Sequence, residues 1–186
     1  NVTSIGDSAF RECTSLQSVY IGKNVTIIGV AAFRECTSLQ NVNIGTNVTE
    51  IASTVFYGCT SLQSIDIGPN VKKIFTGAFK KSGLQSVTIG ATVEELGSVV
   101  FESCTSLQSV VIHSTIGGSE DGSSQNFSGC TSLTTVTLTD GSTVVQNAMF
   151  RGCTSLVTIN IPESVYKIDV GAFHNCTSLQ NVNFEG

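Results

Sequence analysis

Residues 39–62 read Leu-Gln-Asn-Val-Asn-Ile-Gly-Thr-Asn-Val-Thr-Glu-Ile-Ala-Ser-Thr-Val-Phe-Tyr-Gly-Cys-Thr-Ser-Leu, and close variants of this stretch fill the whole chain. Its Phe56 has counterparts at Phe10, Phe33, Phe79, Phe101, Phe127, Phe150 and Phe173, spaced 23, 23, 23, 22, 26, 23 and 23 residues apart. A period of this length belongs to solenoids, propellers and arrays, in which each unit buries its apolar face only against its neighbours. Inside the unit, Leu39-x-x-Val42-x-Ile44 alternates, so Val42 and Ile44 point to one face of a strand and Asn41 and Asn43 to the other. Glycine ends the strand at Gly22, Gly45, Gly68 and Gly90, where a turn is required. Val48 and Ile51 lie three apart, which suits a curved segment. Phe56 and Cys59, also three apart, read as a single helical turn with both side chains inward. Such a turn is too short to stand alone as a helix.

The 186 residues therefore read as one continuous array, with about eight repeats of 23 residues and no linker-like break across 1–186. Charged residues make up only 12% and apolar ones 40%, a folding composition with Ser, Thr, Asn and Gly on its surface. A net charge of -5 argues against nucleic acid or an anionic membrane as a partner. No apolar run is long enough to span a bilayer, so no membrane insertion is expected of this segment. Asn1 is not an initiator methionine, and both ends fall within a repeat, so the chain is expected to be cut from a longer array.

Leu-x-x-Val-x-Ile followed by Val-x-x-Ile and Ala-Phe-x-x-Cys resembles the BspA-type leucine-rich repeats of bacterial and protist surface proteins. The copy from Leu156 to Leu179 carries the pattern most fully, with Ile161-Pro162, Val165, Ile168, Gly171-Ala172-Phe173 and Cys176. Most other copies have glycine in place of the family's proline, and Ser82 replaces the cysteine of the fourth unit. The resemblance implies a right-handed leucine-rich-repeat solenoid with a parallel β-sheet on one side and short helical or 3-10 turns on the other. It also implies cell-surface or secreted display, adhesion and binding to host or extracellular-matrix proteins, with no catalytic residues and no cofactor.

Each chemical motif has a competing structural reading. The seven cysteines, Cys13, Cys36, Cys59, Cys104, Cys130, Cys153 and Cys176, share one phase of the repeat. No Cys-x-x-Cys spacing for zinc or redox chemistry occurs, and stacked equivalents would have parallel rather than converging Cβ vectors. They are expected to form a ladder of free, buried thiols. Asn-x-Ser/Thr sequons at Asn1, Asn24, Asn47, Asn126 and Asn175 are candidate glycosylation sites, or simply repeat consensus. Asn70 keeps the asparagine and loses the sequon, which favours the second reading. Lys72 and Lys73 share a phase with Glu94 and Glu95, and Lys73 also with Glu50, so a surface charge row is expected rather than a basic ligand patch. The stretch from His113 to Gln125 carries the three-residue insertion and includes Glu120 and Asp121; it is a candidate binding loop or a tolerated one. Two distant histidines, His113 and His174, and no nucleophile elbow or metalloprotease motif argue against an enzyme.

The outward strand positions remain as the candidate binding face. Its second row is Tyr20, Asn43, Asp66, Thr88, Val111, Thr137, Asn160 and Asn183, flanked by Ser18, Asn41, Ser64, Ser86, Ser109, Thr135, Thr158 and Asn181. The face is small, neutral and hydrogen-bonding, with Tyr20 its one aromatic anchor. The leading expectation is a protein-binding module of an adhesin-like surface protein. The alternatives are a rigid spacer and an intracellular leucine-rich-repeat scaffold. Uncapped end coils would also favour self-association.

Overall fold

The computed structural model describes residues 1–113 and 124–186. The chain winds as a parallel β-solenoid of about seven turns. Coils are numbered by phenylalanine, from Phe10 in coil one to Phe173 in coil eight, each followed by its face strand except coil three, which has only an isolated bridge at Asp66. Face strands are Ser18–Tyr20, Asn41–Asn43, Ser86–Ile89, Ser109–Ile112, Thr135–Leu138, Thr158–Ile161 and Asn181–Phe184. A second set of two-residue strands includes Ile27–Ile28, Glu50–Ile51, Lys73–Ile74 and Glu95–Leu96. Pairing is parallel, and its register is one repeat: Ser18 faces Asn41, Ser86 faces Ser109, and Glu50 faces Lys73, which faces Glu95.

Because equivalent residues stack, each inward phase becomes a column. All eight phase phenylalanines form one such column, with consecutive ring centroids 5.2–5.7 Å apart and planes within 13° of parallel. Neighbouring coils lie about 4.8 Å apart in the hydrogen-bonding direction, so the longer centroid separation means offset stacking, the geometry aromatic quadrupoles favour. Phe33 through Phe150 are buried, as are Leu39, Leu62, Leu84, Leu107, Leu133 and Leu156 beside them.

The Phe-x-x-Cys segment differs from expectation: it is a series of turns, and no helix occurs among the described residues. Its backbone explains why. In coil three the N–H groups of Thr54, Phe56 and Gly58 donate to Thr76, Ala78 and Lys80 of the next coil, at 3.1, 2.8 and 2.9 Å. The intervening N–H groups of Tyr57 and Cys59 fold back on Thr54 and Phe56, at 3.2 and 3.3 Å. A helix would send every N–H along its own axis and leave the next coil unpaired. Alternation requires two residues per coil in the left-handed region, such as Thr54 and Gly58 at φ 54° and 69°, or Val99 and Ser103 at 53° and 58°. Left-handed φ costs an L-residue roughly 1–2 kcal/mol, and a β-branched one is a genuine outlier there.

Two irregularities break the pattern. In coil four, the shortened turn at Ser82 brings Gly83 onto coil three, where its N–H donates to Cys59 O at 3.2 Å. A Cβ on Gly83 would sit 2.0 Å from the Thr60 carbonyl oxygen, so only glycine fits. Strand pairing is then interrupted: Asp66 bridges to Asn43, but residues 64–67 do not pair with Ser86–Ile89. The second irregularity is the insertion. The carbonyl of Ile112 receives the Thr139 N–H (3.1 Å), Thr139 Oγ1 (3.2 Å) and Ser142 Oγ (3.3 Å). Ser142 holds the inward phase that Val25, Val48, Val71 and Val93 hold elsewhere.

Two substitutions test this account by urea unfolding. Val99→Gly relieves the β-branched left-handed residue and should raise stability by about 0.5–1 kcal/mol, after allowing for glycine's extra chain entropy. Gly83→Ala should lower it by about 3 kcal/mol or more, because backbone must move to admit the methyl group.

Candidate functional site

The pleat sends every second strand residue outward, and the one-repeat register lines those residues up along the solenoid. Tyr20 lies opposite Asn43, and Asn43 opposite Asp66. Thr88 lies opposite Val111, which lies opposite Thr137; Asn160 lies opposite Asn183. The expected row of eight is therefore three blocks, with breaks between Asp66 and Thr88 and between Thr137 and Asn160. All eight are exposed except Val111, which is half-buried.

The blocks differ in what their polar groups do. In the last block the Asn183 Nδ2 donates to Asn160 Oδ1 at 2.8 Å and Asn181 Nδ2 to Thr158 Oγ1 at 3.4 Å, so the amides satisfy one another. In the first block Tyr20 and Asn43 make no side-chain hydrogen bond among the described residues, and Tyr20 is 81% exposed. Asp66 Oδ1 accepts the Gly68 N–H at 2.9 Å in a tight turn, where Gly68 has φ 85°, and Oδ2 stays open. Two depressions meet at Asp66. One, about 340 Å³, is lined by Ser18, Tyr20, Asn41, Asn43, Ser64 and Asp66. The other, about 720 Å³, lies at the interrupted pairing and includes Asp66, Pro69, Ser86, Thr88 and Thr92. A third hollow, about 750 Å³, is lined by Val2, Ile5, Phe10, Leu16, Tyr20 and Lys23 among others.

The remaining candidates resolve into structural roles or lie elsewhere. Asn24, Asn47 and Asn175 are exposed. Asn47 Nδ2 donates to Lys23 O at 2.7 Å, and Asn70, which has no sequon, does the same to Thr46 O at 2.8 Å. Asn175 occupies a left-handed position at φ 61°, which asparagine tolerates well. Asn126 is a correction to the sequence reading: it is fully buried at the phase of Ala32, Val55 and Val100, with Oδ1 accepting the Val100 N–H at 3.0 Å, so this fold has no room for a glycan there. His113 is exposed and its N–H donates to Ile89 O at 3.0 Å; Glu120 and Asp121 lie outside the described residues. The charge row is present, with Lys73 3.1 Å from Glu95 and Lys72 3.2 Å from Glu94. The hydrogen bond that Lys73 donates to Glu95 raises the Lys73 pKa.

The cysteines are free, and each of six directs its thiol at the backbone carbonyl of a phenylalanine one coil back: Cys36 at Phe10, Cys59 at Phe33, Cys104 at Phe79, Cys130 at Phe101, Cys153 at Phe127 and Cys176 at Phe150, all at 3.1–3.3 Å. The Cys104 proton is thus committed to Phe79, which leaves the Ser82 hydroxyl to donate to Cys104 Sγ at 3.3 Å. Burial pushes the Cys59 and Cys153 thiols up to about 12 and Cys104 to about 11, and raises Cys36, Cys130 and Cys176 as well. Protonated, hydrogen-bonded thiols are neither nucleophiles nor metal ligands. No cluster of metal-binding side chains and no helix long and apolar enough to cross a membrane occurs among the described residues.

A family profile described as "BspA type Leucine rich repeat region (6 copies)" matches residues 3–121 and 122–186, and the chain belongs to that family. A leucine-rich repeat protein from Bacteroides ovatus is 29% identical with a TM-score of 0.56; the match covers 99% of this chain, which spans 64% of that one. The T. pallidum leucine rich repeat protein is 27% identical with a TM-score of 0.62, over 96% of this chain and 72% of that one. The pneumococcal vaccine antigen PcpA, 14% identical with a TM-score of 0.55 over 100% of this chain and 54% of its own, shares the fold. No curated protein matches the chain.

The thiol geometry has two measurable consequences. In native protein one cysteine, exposed Cys13, should react promptly with a thiol reagent, and the other six only after unfolding. An unfolded thiol titrates near 9.0 while native Cys59 holds its proton to about 12, so the unfolded state loses protons first. Stability should then fall as pH rises, with Tm beginning to drop near pH 9 and continuing to drop toward about 12 in thermal melts.

Proposed function

We propose that this member of the BspA-type leucine-rich repeat family is a non-enzymatic protein-binding module of a cell-surface, adhesin-like protein. It engages host or extracellular-matrix proteins through the outward face of its strands. The observation that carries this reading is the open first block, where an exposed aromatic ring, an amide and a carboxylate stand side by side in register at Tyr20, Asn43 and Asp66. Exposed tyrosine is among the residues enriched at binding hot spots. Thr88, Val111 and Thr137 extend the same surface beyond the interruption at Asp66. Contact with Asn160 and Asn183 is weaker, because those amides already satisfy each other.

Affinity of a single face of this composition is modest, and repetition of the face supplies avidity. A second reading, a rigid spacer, draws on the self-satisfied last block and on the continuous phenylalanine column, which stiffens the array.

The two readings separate in a binding assay on immobilised extracellular-matrix proteins. For a binding module, the Tyr20→Ala, Asp66→Asn double variant should lose about tenfold or more in affinity while its thermal stability is unchanged. A spacer shows no saturable binding with either protein.

A further inference from the structure

We infer that the Tyr20–Asn43–Asp66 corner of the sheet face recognises a neutral glycan, which runs along the solenoid axis from Ser18 toward Thr92. The inference rests on the reading of the strand face as the ligand-bearing surface and names the chemistry that surface accepts.

The lining sets the ligand's charge. Neither of the two depressions that meet at Asp66 contains a lysine, arginine or histidine, and Asp66 is the one charged residue in both. Lys23 and Lys72 line only the adjoining hollows, so neither depression itself supplies a cation for a phosphate, a sulfate or a sugar acid. The groups on offer suit hydroxyls instead. Asp66 Oδ2 is an open acceptor on a carboxylate held in place by the Gly68 N–H, so it is already oriented for a sugar O–H. The Asn43 amide, with no partner among the described residues, donates and accepts at once, as a sugar hydroxyl does. The Tyr20 ring, 81% exposed, offers an apolar face with negative quadrupole to the weakly positive C–H face of a pyranose.

Geometry sets the ligand's shape. Tyr20, Asn43 and Asp66 are consecutive rungs, about 4.8 Å apart across paired strands, close to the span of one sugar ring. A linear glycan lying along the axis therefore meets one outward side chain per coil. Where pairing is interrupted after Asp66, the larger depression of about 720 Å³ continues the track past Ser86 and Thr88 to Thr92, adding hydroxyls and no charge. The two hollows share Ser64, Ile65 and Asp66, so the track is continuous.

The chain contains no tryptophan and only three tyrosines, Tyr20, Tyr57 and Tyr166, so a ligand-induced change in tyrosine fluorescence that disappears in Tyr20→Ala is assigned to Tyr20. The test titrates the whole chain with neutral hexasaccharides (a β-1,4-glucan, a β-1,3-glucan, an α-mannan and a β-1,4-galactan), followed by fluorescence and calorimetry. At least one should bind saturably. Tyr20→Ala and Asp66→Asn should each weaken it by about tenfold or more, whereas Tyr166→Ala, which removes an equally exposed tyrosine away from the face, should not. Absence of saturation with all four sugars overturns the inference, as does binding indifferent to Tyr20→Ala and Asp66→Asn. A matrix protein captured with unchanged, Tyr20-dependent affinity after enzymatic deglycosylation also overturns it, and leaves the protein-binding reading standing. Sugar binding with no matrix-protein capture supports the inference and removes that reading.

Discussion

Every coil must present to the next a set of backbone donors and acceptors in the same order and at the same spacing. This one requirement shapes the molecule. A strand meets it with its ordinary alternation, but the turn side has to imitate it, and does so by sending alternate N–H groups across to the next coil, as Thr54, Phe56 and Gly58 do. The imitation is what forces left-handed residues at two fixed phases, even where a valine stands, as at Val99. Once backbones are in register, side chains have no freedom of phase. Phenylalanine falls on phenylalanine, and a thiol falls beneath the carbonyl of the preceding coil's phenylalanine. The cysteine phase is then explained without redox chemistry. A small apolar side chain with one weak donor fits a buried carbonyl; where the coil is shortened, Ser82 takes that phase and its hydroxyl meets Cys104 Sγ instead.

The same requirement makes irregularity informative. A one-residue deletion cannot be absorbed within a coil whose every rung is paired, so it is transmitted to the nearest place that can open. That place is the strand face after Asp66, where pairing stops and a hollow appears. The insertion before Phe127 is handled differently. Polar side chains add bonds beside it: Thr139 and Ser142 hydroxyls at the Ile112 carbonyl, which also keeps its backbone partner, and Asn126 Oδ1 at the Val100 amide. Both devices sit at phases that are apolar or unremarkable in other copies.

Much of this was readable in the residues. The inward phases of Val42, Ile44, Phe56 and Cys59, the outward phases of Tyr20, Asn43 and Asp66, and the Glu50–Lys73–Glu95 row all follow from a period applied consistently. The turn side is ambiguous in sequence because a spacing of three between two inward side chains fits a helical turn and a chain of β-turns equally well. What separates them is the destination of the intervening N–H groups, which lies in another coil. Asn126 is legible in principle: it aligns with Ala32, Val55 and Val100, although its Asn-x-Ser context also spells a sequon.

By itself the sequence determined the period, which residues face in and which face out, and hence a stacked parallel solenoid, because these depend only on local alternation and exact recurrence. It could not determine which outward groups remain available. Asn160 and Asn183 look as open as Asn43 on paper, yet the first two bond to each other and the third has no side-chain partner among the described residues. Nor could it place the interruption after Asp66, since the deletion that causes it lies some sixteen residues downstream at Ser82. Those are matters of contact between residues a full coil apart, where small differences in side-chain reach and backbone approach choose the partner, and only the tertiary structure decided them.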